Sequence, residues 1–247
     1  MDEHWWRLWL VGCLSLSLAA CAEVATERSS AGPVATVLAV AGRLQAQHEV
    51  AVITSADVVA VRAEGCGGGR TRASGFVVDG LVVTNAHVAD GAATIDVVGP
   101  RWSASPLVSR VGGGEGGEVG PDLAVAPVGV GSGLAWAARD APIGTPVVLA
   151  GRASGSFRWR PGRVHLYSEP GGFGGVGVAM LVDGASGPGF SGGPVVDLDG
   201  RVVGVLRAVD LATGLTVAIP VSEYRSWRET DKYGDSSTSC LQKESTP

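Results

Sequence analysis

From Ala56 onward the hydrophobic positions fall into short runs separated by glycine and polar turns, the pattern of strands rather than of long helices. Residues 58–61, 75–78, 81–84, 94–98 and 123–128 form a first group of predicted strands, with Asp79-Gly80 as a tight hairpin turn. Residues 146–150, 163–167, 176–182, 194–198, 202–206 and 215–219 form a second. Two such groups predict an all-β chain built as two barrels. Before them, Val34, Val37, Leu38, Ala41 and Leu44 fall at helical spacing, which predicts a short amphipathic helix packed on the core. After them, "VSEYRSWRETDKY", opened by Ser222 with a glutamate behind it, predicts a closing helix.

The first residues follow a different rule. In "WRLWLVGCLSLSLAAC", Arg7 precedes an apolar stretch over 8–20 that is too short to cross a bilayer as a helix, so it is read as an export signal. Leu18-Ala19-Ala20-Cys21 resembles the bacterial lipobox, with Cys21 as the lipid acceptor, and this is preferred to a plain secretory signal carrying a chance cysteine. The expected organisation is a lipoprotein-type signal peptide over 1–20, a tether with a short helix over 21–54, one folded domain over 55–232 and a tail over 233–247. The protein is then exported and held by lipid on the outer face of the cell membrane. With Cys13 removed and Cys21 acylated, Cys66 and Cys240 remain in an oxidising setting and are expected to form a disulfide, a bridge of about 2–4 kcal/mol.

Composition narrows the function classes. Among 247 residues, 45% are hydrophobic, enough for a proper core, and 38 are glycine, which suits a turn-rich β protein. A net charge of −5 without a dense Lys/Arg run argues against nucleic acid as a partner. His4, His48 and His165 lie far apart and form no cluster with metal-ligand spacing, so no metal or other cofactor is expected. "GGGEGGEVG" has no helix behind it to aim amides at a phosphate and is read as a surface loop.

Three stretches carry chemistry. "VVTNAHVADG" sets His87 directly after an apolar strand, where the backbone can hold an imidazole at a cleft. "PDLAVAPVG" sets Asp122 at the mouth of another strand, where a carboxylate can fix the tautomer of that imidazole. "GPGFSGGPVV" holds Ser191 between glycines before a third strand, the setting of an activated hydroxyl. Alone, each has a bland structural explanation. Together they supply a nucleophile, a base and an orienting acid in the order His, Asp, Ser, and no strand-helix alternation points to another hydrolase architecture.

With "TNAHV", "DLAV" and "SGGPVVDLDGRVVGV" on the page, the chain resembles the trypsin-like serine proteases over roughly residues 56–232. Within that family it is most similar to the periplasmic acid-resistance proteases of mycobacteria, which also have a cysteine ahead of the "GFVV" strand and another near the C-terminus. The resemblance implies two six-stranded antiparallel β-barrels of chymotrypsin type with a C-terminal helix. It implies His87, Asp122 and Ser191 as catalytic residues, and the Gly189 and Ser191 N–H groups as an oxyanion hole. Ala185, Arg207 and Gly214 match positions around the primary specificity pocket. Arg207 stands where the family usually has a serine, and it is read as a surface arginine in preference to one that selects acidic substrates. Phe190 replaces the family's Asp or Asn, so activation through a freed N-terminus is not expected.

The implied function is an exported serine endopeptidase acting on envelope or secreted proteins. The alternative is a catalytically silent domain of the same fold that binds peptides or envelope proteins, its oxyanion hole collapsed around Phe190.

Overall fold

The computed structural model describes residues 33–65, 68–100, 102–105, 110–111, 120–129, 131, 133–152, 154–171 and 177–229. The expected signal peptide, Cys21, Cys66, Cys240 and the tail lie outside the described residues, as does nearly all of the glycine-rich loop. In chain order the elements are α1 (Pro33–Thr54), β1 (Val58–Gly65), β2 (Arg70–Val78), β3 (Leu81–Thr84), the one-turn α2 (Ala86–Ala89), β4 (Ala92–Val98), β5 (Ser103–Ala104), β6 (Arg110–Val111) and β7 (Ala124–Pro127). There follow β8 (Ala135–Trp136), β9 (Pro146–Gly151), β10 (Arg158–Tyr167), β11 (Met180–Asp183), β12 (Pro194–Asp197), β13 (Arg201–Val209), β14 (Thr216–Pro220) and α3 (Val221–Glu229).

The strands form two sheets, as the two hydrophobic groups predict. The first runs β5-β4-β1-β2-β3-β7-β6, antiparallel throughout. The second runs β12-β9-β10-β11-β14-β13, and the β12–β13 pairing closes it into a six-stranded barrel, with β8 added in parallel to β13. The architecture is that of the chymotrypsin-like fold with one refinement: among the described residues the second barrel is closed and the first sheet is not. The β2–β3 hairpin turns at Asp79 and Gly80, both at positive φ (50° and 73°), which is the backbone that an Asp-Gly pair accepts most readily.

Each sheet carries its own apolar lining. Val59, Val61, Val77, Val82 and Val97 pack inside the first, and Val147, Leu149, Val164, Met180, Val195 and Leu206 inside the second. A third cluster joins Phe76, Val83, Leu123 and Val125 of the first sheet to Val148, Val196, Val202 and Val205 of the second. Trp227 of α3 is buried in that cluster, and Tyr224 stacks on Trp136 at a centroid distance of 4.0 Å. Large aromatic surfaces of this kind bury much apolar area per residue.

The predicted N-terminal helix extends further than its starting pattern. Pro33 opens it at a position where a missing N–H costs nothing, and it runs on through Gln47, Val50, Ala51 and Thr54. These later residues are the buried ones, whereas Val37, Leu38 and Leu44 are 66%, 67% and 47% exposed. The expected packing of the earlier stripe is therefore corrected: burial falls on the C-terminal turns of the helix, on residues outside that stripe. The Gln47 side-chain amide donates to the carbonyls of Val147 (2.8 Å) and Gly162 (3.2 Å), serving two paired strands at once. Among the described residues no helix is long and apolar enough to cross a membrane.

Candidate active site

Antiparallel pairing of β3 with β7 sets Thr84 opposite Ala124, so the residues just after β3 and just before β7 emerge at the same end of the first sheet. This is how His87 in α2 meets Asp122. The His87 ring Nδ1 lies 2.7 Å from Asp122 Oδ2, and the His87 backbone N–H donates to Asp122 Oδ1 at 2.9 Å. Asn85, fully buried, donates through its side chain to the Asp122 carbonyl at 2.9 Å. The Asp122 side chain is only 9% exposed, whereas that of His87 is 38% exposed. Burial pushes the Asp122 carboxyl up, but the hydrogen bonds and charge of His87 and the charge of Arg207 outweigh it and leave it below the ordinary carboxylate range. An ionised carboxylate accepts only, so Nδ1 carries the hydrogen and Nε2 is left with a lone pair facing outward.

The loop bearing Ser191 is built from backbone. Gly189 and Gly192 lie at φ 88° and 80°, conformations that other L-residues avoid. A Cβ at Gly192 would run into the Ser74 carbonyl oxygen, and one at Gly193 into the Ala150 carbonyl oxygen. Among the described residues neither the Gly189 nor the Ser191 amide N–H has a hydrogen-bond partner. Phe190, 7% exposed, is packed within the second barrel's core cluster, so the residue between those two amides is held by apolar contact instead of by a charge pair.

Ser191 is not bonded to His87 among the described residues. Its hydroxyl donates instead to the Arg207 carbonyl at 3.0 Å. Arg207 itself turns its Nε to Asp122 Oδ2 at 3.2 Å, with 24% of its side chain exposed. Of the other expected pocket positions, Ala185 is exposed and Gly214 lies in the exposed turn where its N–H bonds to the Asp210 carbonyl.

Ser74 is the site residue that the motifs do not mark. Fully buried on β2, it donates its N–H to the Ser191 carbonyl (2.8 Å) and its hydroxyl to the Gly189 carbonyl (2.5 Å), and its hydroxyl accepts the Arg152 N–H (2.7 Å). One first-sheet side chain thus orients the peptide that carries the loop. The available signal is "ASGFVV", a polar residue and a glycine inside an otherwise apolar strand, which marks a close backbone approach. Gly75 confirms the crowding, since a Cβ there would meet the Val83 carbonyl oxygen at 2.8 Å.

Comparison with known proteins agrees with this geometry. The family model described as a trypsin-like peptidase domain matches residues 73–205, more than half of the chain. The Synechocystis sp. protein HhoA, which carries a serine protease designation, is 29% identical over 182 residues; the match covers 64% of this chain and 42% of HhoA. The crystal structure of the Rv3671c protease from M. tuberculosis in its active form is similar in fold, with a TM-score of 0.63 at 24% identity, covering 77% of this chain and 87% of that one. The HtrA-type protease AlgW, solved with a tripeptide, has a TM-score of 0.60 at 20% identity, covering 71% of this chain and 60% of that one. Sequence match, sheet topology and the meeting of His87 with Asp122 lead to one conclusion: the chain belongs to the trypsin-like peptidase family.

Proposed function

We propose that this chain is a serine endopeptidase in which Ser191 is the nucleophile, His87 the general base and Asp122 the orienting acid. The observation that carries the reading is the 2.7 Å bond between His87 Nδ1 and buried Asp122, which leaves Nε2 as the only basic nitrogen. The Ser191 hydroxyl first exchanges its Arg207 acceptor for His87 Nε2. Its oxygen then attacks the peptide carbonyl carbon as the proton passes to Nε2, and the carbonyl oxygen gains a negative charge. The Gly189 and Ser191 amides supply the two donors for that charge. Collapse of the intermediate breaks the C–N bond, the imidazolium returns its proton to the leaving amine, and water repeats the sequence on the acyl-enzyme.

A peptide substrate is supported by the AlgW structure, which holds a tripeptide. Export, a lipid on Cys21, a Cys66–Cys240 disulfide and substrates among envelope or secreted proteins belong to the same proposal and rest on the sequence. The second reading, a silent peptide-binding domain, is favoured by one feature, the bond of Ser191 to Arg207 instead of to His87. A fluorophosphonate probe separates the two. Covalent labelling of the full chain that disappears in Ser191→Ala supports the peptidase; a folded wild-type protein that never reacts supports the binding domain.

A further inference from the structure

Asp122 Oδ2 accepts two hydrogens. One comes from His87 Nδ1 at 2.7 Å and the other from Arg207 Nε at 3.2 Å. The carboxylate is almost completely shielded from water, so the two cations are poorly screened from each other when His87 is protonated. An imidazole paired with a lone carboxylate belongs to a unit of charge −1, which attracts a proton. With the guanidinium present, the same unit is neutral beforehand and carries +1 afterwards. Asp90, at the end of α2, is exposed and so screened by water, and the Ser191 loop from 187 to 193 contains no ionisable side chain apart from the serine itself. His87 and Arg207 are the two groups whose charge acts on Asp122.

We propose that Arg207 is a positioning residue that holds down the pH at which the His87–Asp122 pair takes up its proton, thereby extending the base form of the site toward acid. The proposal rests on the peptidase reading for its functional meaning, though the electrostatic contact can be measured without catalysis. Proton uptake belongs to the coupled pair, not to either residue. Arg207 also accepts the Ser191 hydroxyl through its main-chain carbonyl, a contact that side-chain substitution leaves in place. Replacing the side chain thus removes the charge while that main-chain contact stays.

The test is the rate of fluorophosphonate labelling of Ser191 against pH in the full chain. Arg207→Gln should raise the midpoint of the acid limb by about one pH unit, and so lower labelling about tenfold at pH values below the wild-type midpoint while the plateau moves little. Arg207→Lys, which keeps the charge, should stay near wild type. Arg201→Gln, which removes an exposed charge from the same strand, should leave the limb in place. The His87 ring resonance, assigned through its loss in His87→Gln, reads the same midpoint in folded protein whether or not the serine reacts. If Arg207→Gln does not fold, Arg207→Ala serves as the second charge-free variant. An unmoved midpoint, a uniform loss at every pH, or equal shifts in the Gln and Lys variants overturns the role of Arg207. A wild type that is never labelled overturns the peptidase reading, and the resonance alone then decides the electrostatic claim.

Discussion

The two halves of the site are built from different materials. The first sheet contributes His87 and Asp122, held through side-chain hydrogen bonds on a sheet whose edges do not pair among the described residues. The closed second barrel contributes the Ser191 loop, shaped by backbone conformations that only glycine adopts freely. The difference lies in what each half tolerates. A side-chain network loses function when one donor or acceptor changes chemistry, even where shape is preserved. A backbone-built loop loses function when any atom is added, whatever its chemistry.

The largest effect should come from the network. Asp122→Asn preserves shape but presents an amide to His87, which favours the wrong tautomer; turnover of a peptide ester should fall on the order of ten-thousandfold with little change in melting temperature. A loss below tenfold would show that the carboxylate is dispensable and that the halves are alike. On the loop side, Gly193→Ala drives a methyl group toward the Ala150 carbonyl and displaces the turn that carries the amides. Loss of one such donor should lower turnover on the order of a hundredfold or more, with binding of a peptide inhibitor less affected. The isosteric change and the added methyl thus act through opposite properties, and a crystal structure of each variant would check it.

Ser74→Ala lies between the two. It leaves the buried Arg152 N–H and the Gly189 carbonyl without their partner at a cost of about 1–3 kcal/mol, read as a fall in the urea midpoint. Activity should fall with it, because the Gly189 peptide is freed to rotate; unchanged activity in a destabilised protein would confine Ser74 to stability. The smallest effect is expected far from the site. Burial, reinforced by Asp140, pushes the Tyr167 hydroxyl up to about 12. The folded protein therefore favours the neutral phenol, so this contribution is complete below about pH 10, the unfolded value, and is lost as pH rises toward 12. Tyr167→Phe removes the bond to the Ala141 carbonyl, a loss of about 1 kcal/mol, and should flatten the alkaline limb of the stability curve.

What the sequence revealed follows from the range of the forces involved. The Asp79-Gly80 hairpin and β3 are local, and both were legible from turn chemistry and from alternation. The two-residue strands β5, β6 and β8 were not, because two residues carry no period; pairing partners define them. In the site, His87, Asp122 and Ser191 stand out through their flanking residues. Arg207 does not. Its role depends on Asp122, 85 positions earlier, and the local sequence favours a surface arginine over a substrate-selecting one. Ser74 is obscured for the same reason, since both of its loop partners lie on the other barrel.

The Gln47 amide has a consequence for where this chain tolerates a cut. A segment expected to be a tether with a short helix supplies, from Gln47 to Thr54, partners for two strand carbonyls and two core side chains. A cut ahead of Arg43 would keep those partners seated. A cut beyond Ala51 would strip them out, exposing the Val147 and Gly162 carbonyls together with the apolar wall behind them. A scission that spares the folded domain and one that destabilises it can therefore differ only by their place along one helix.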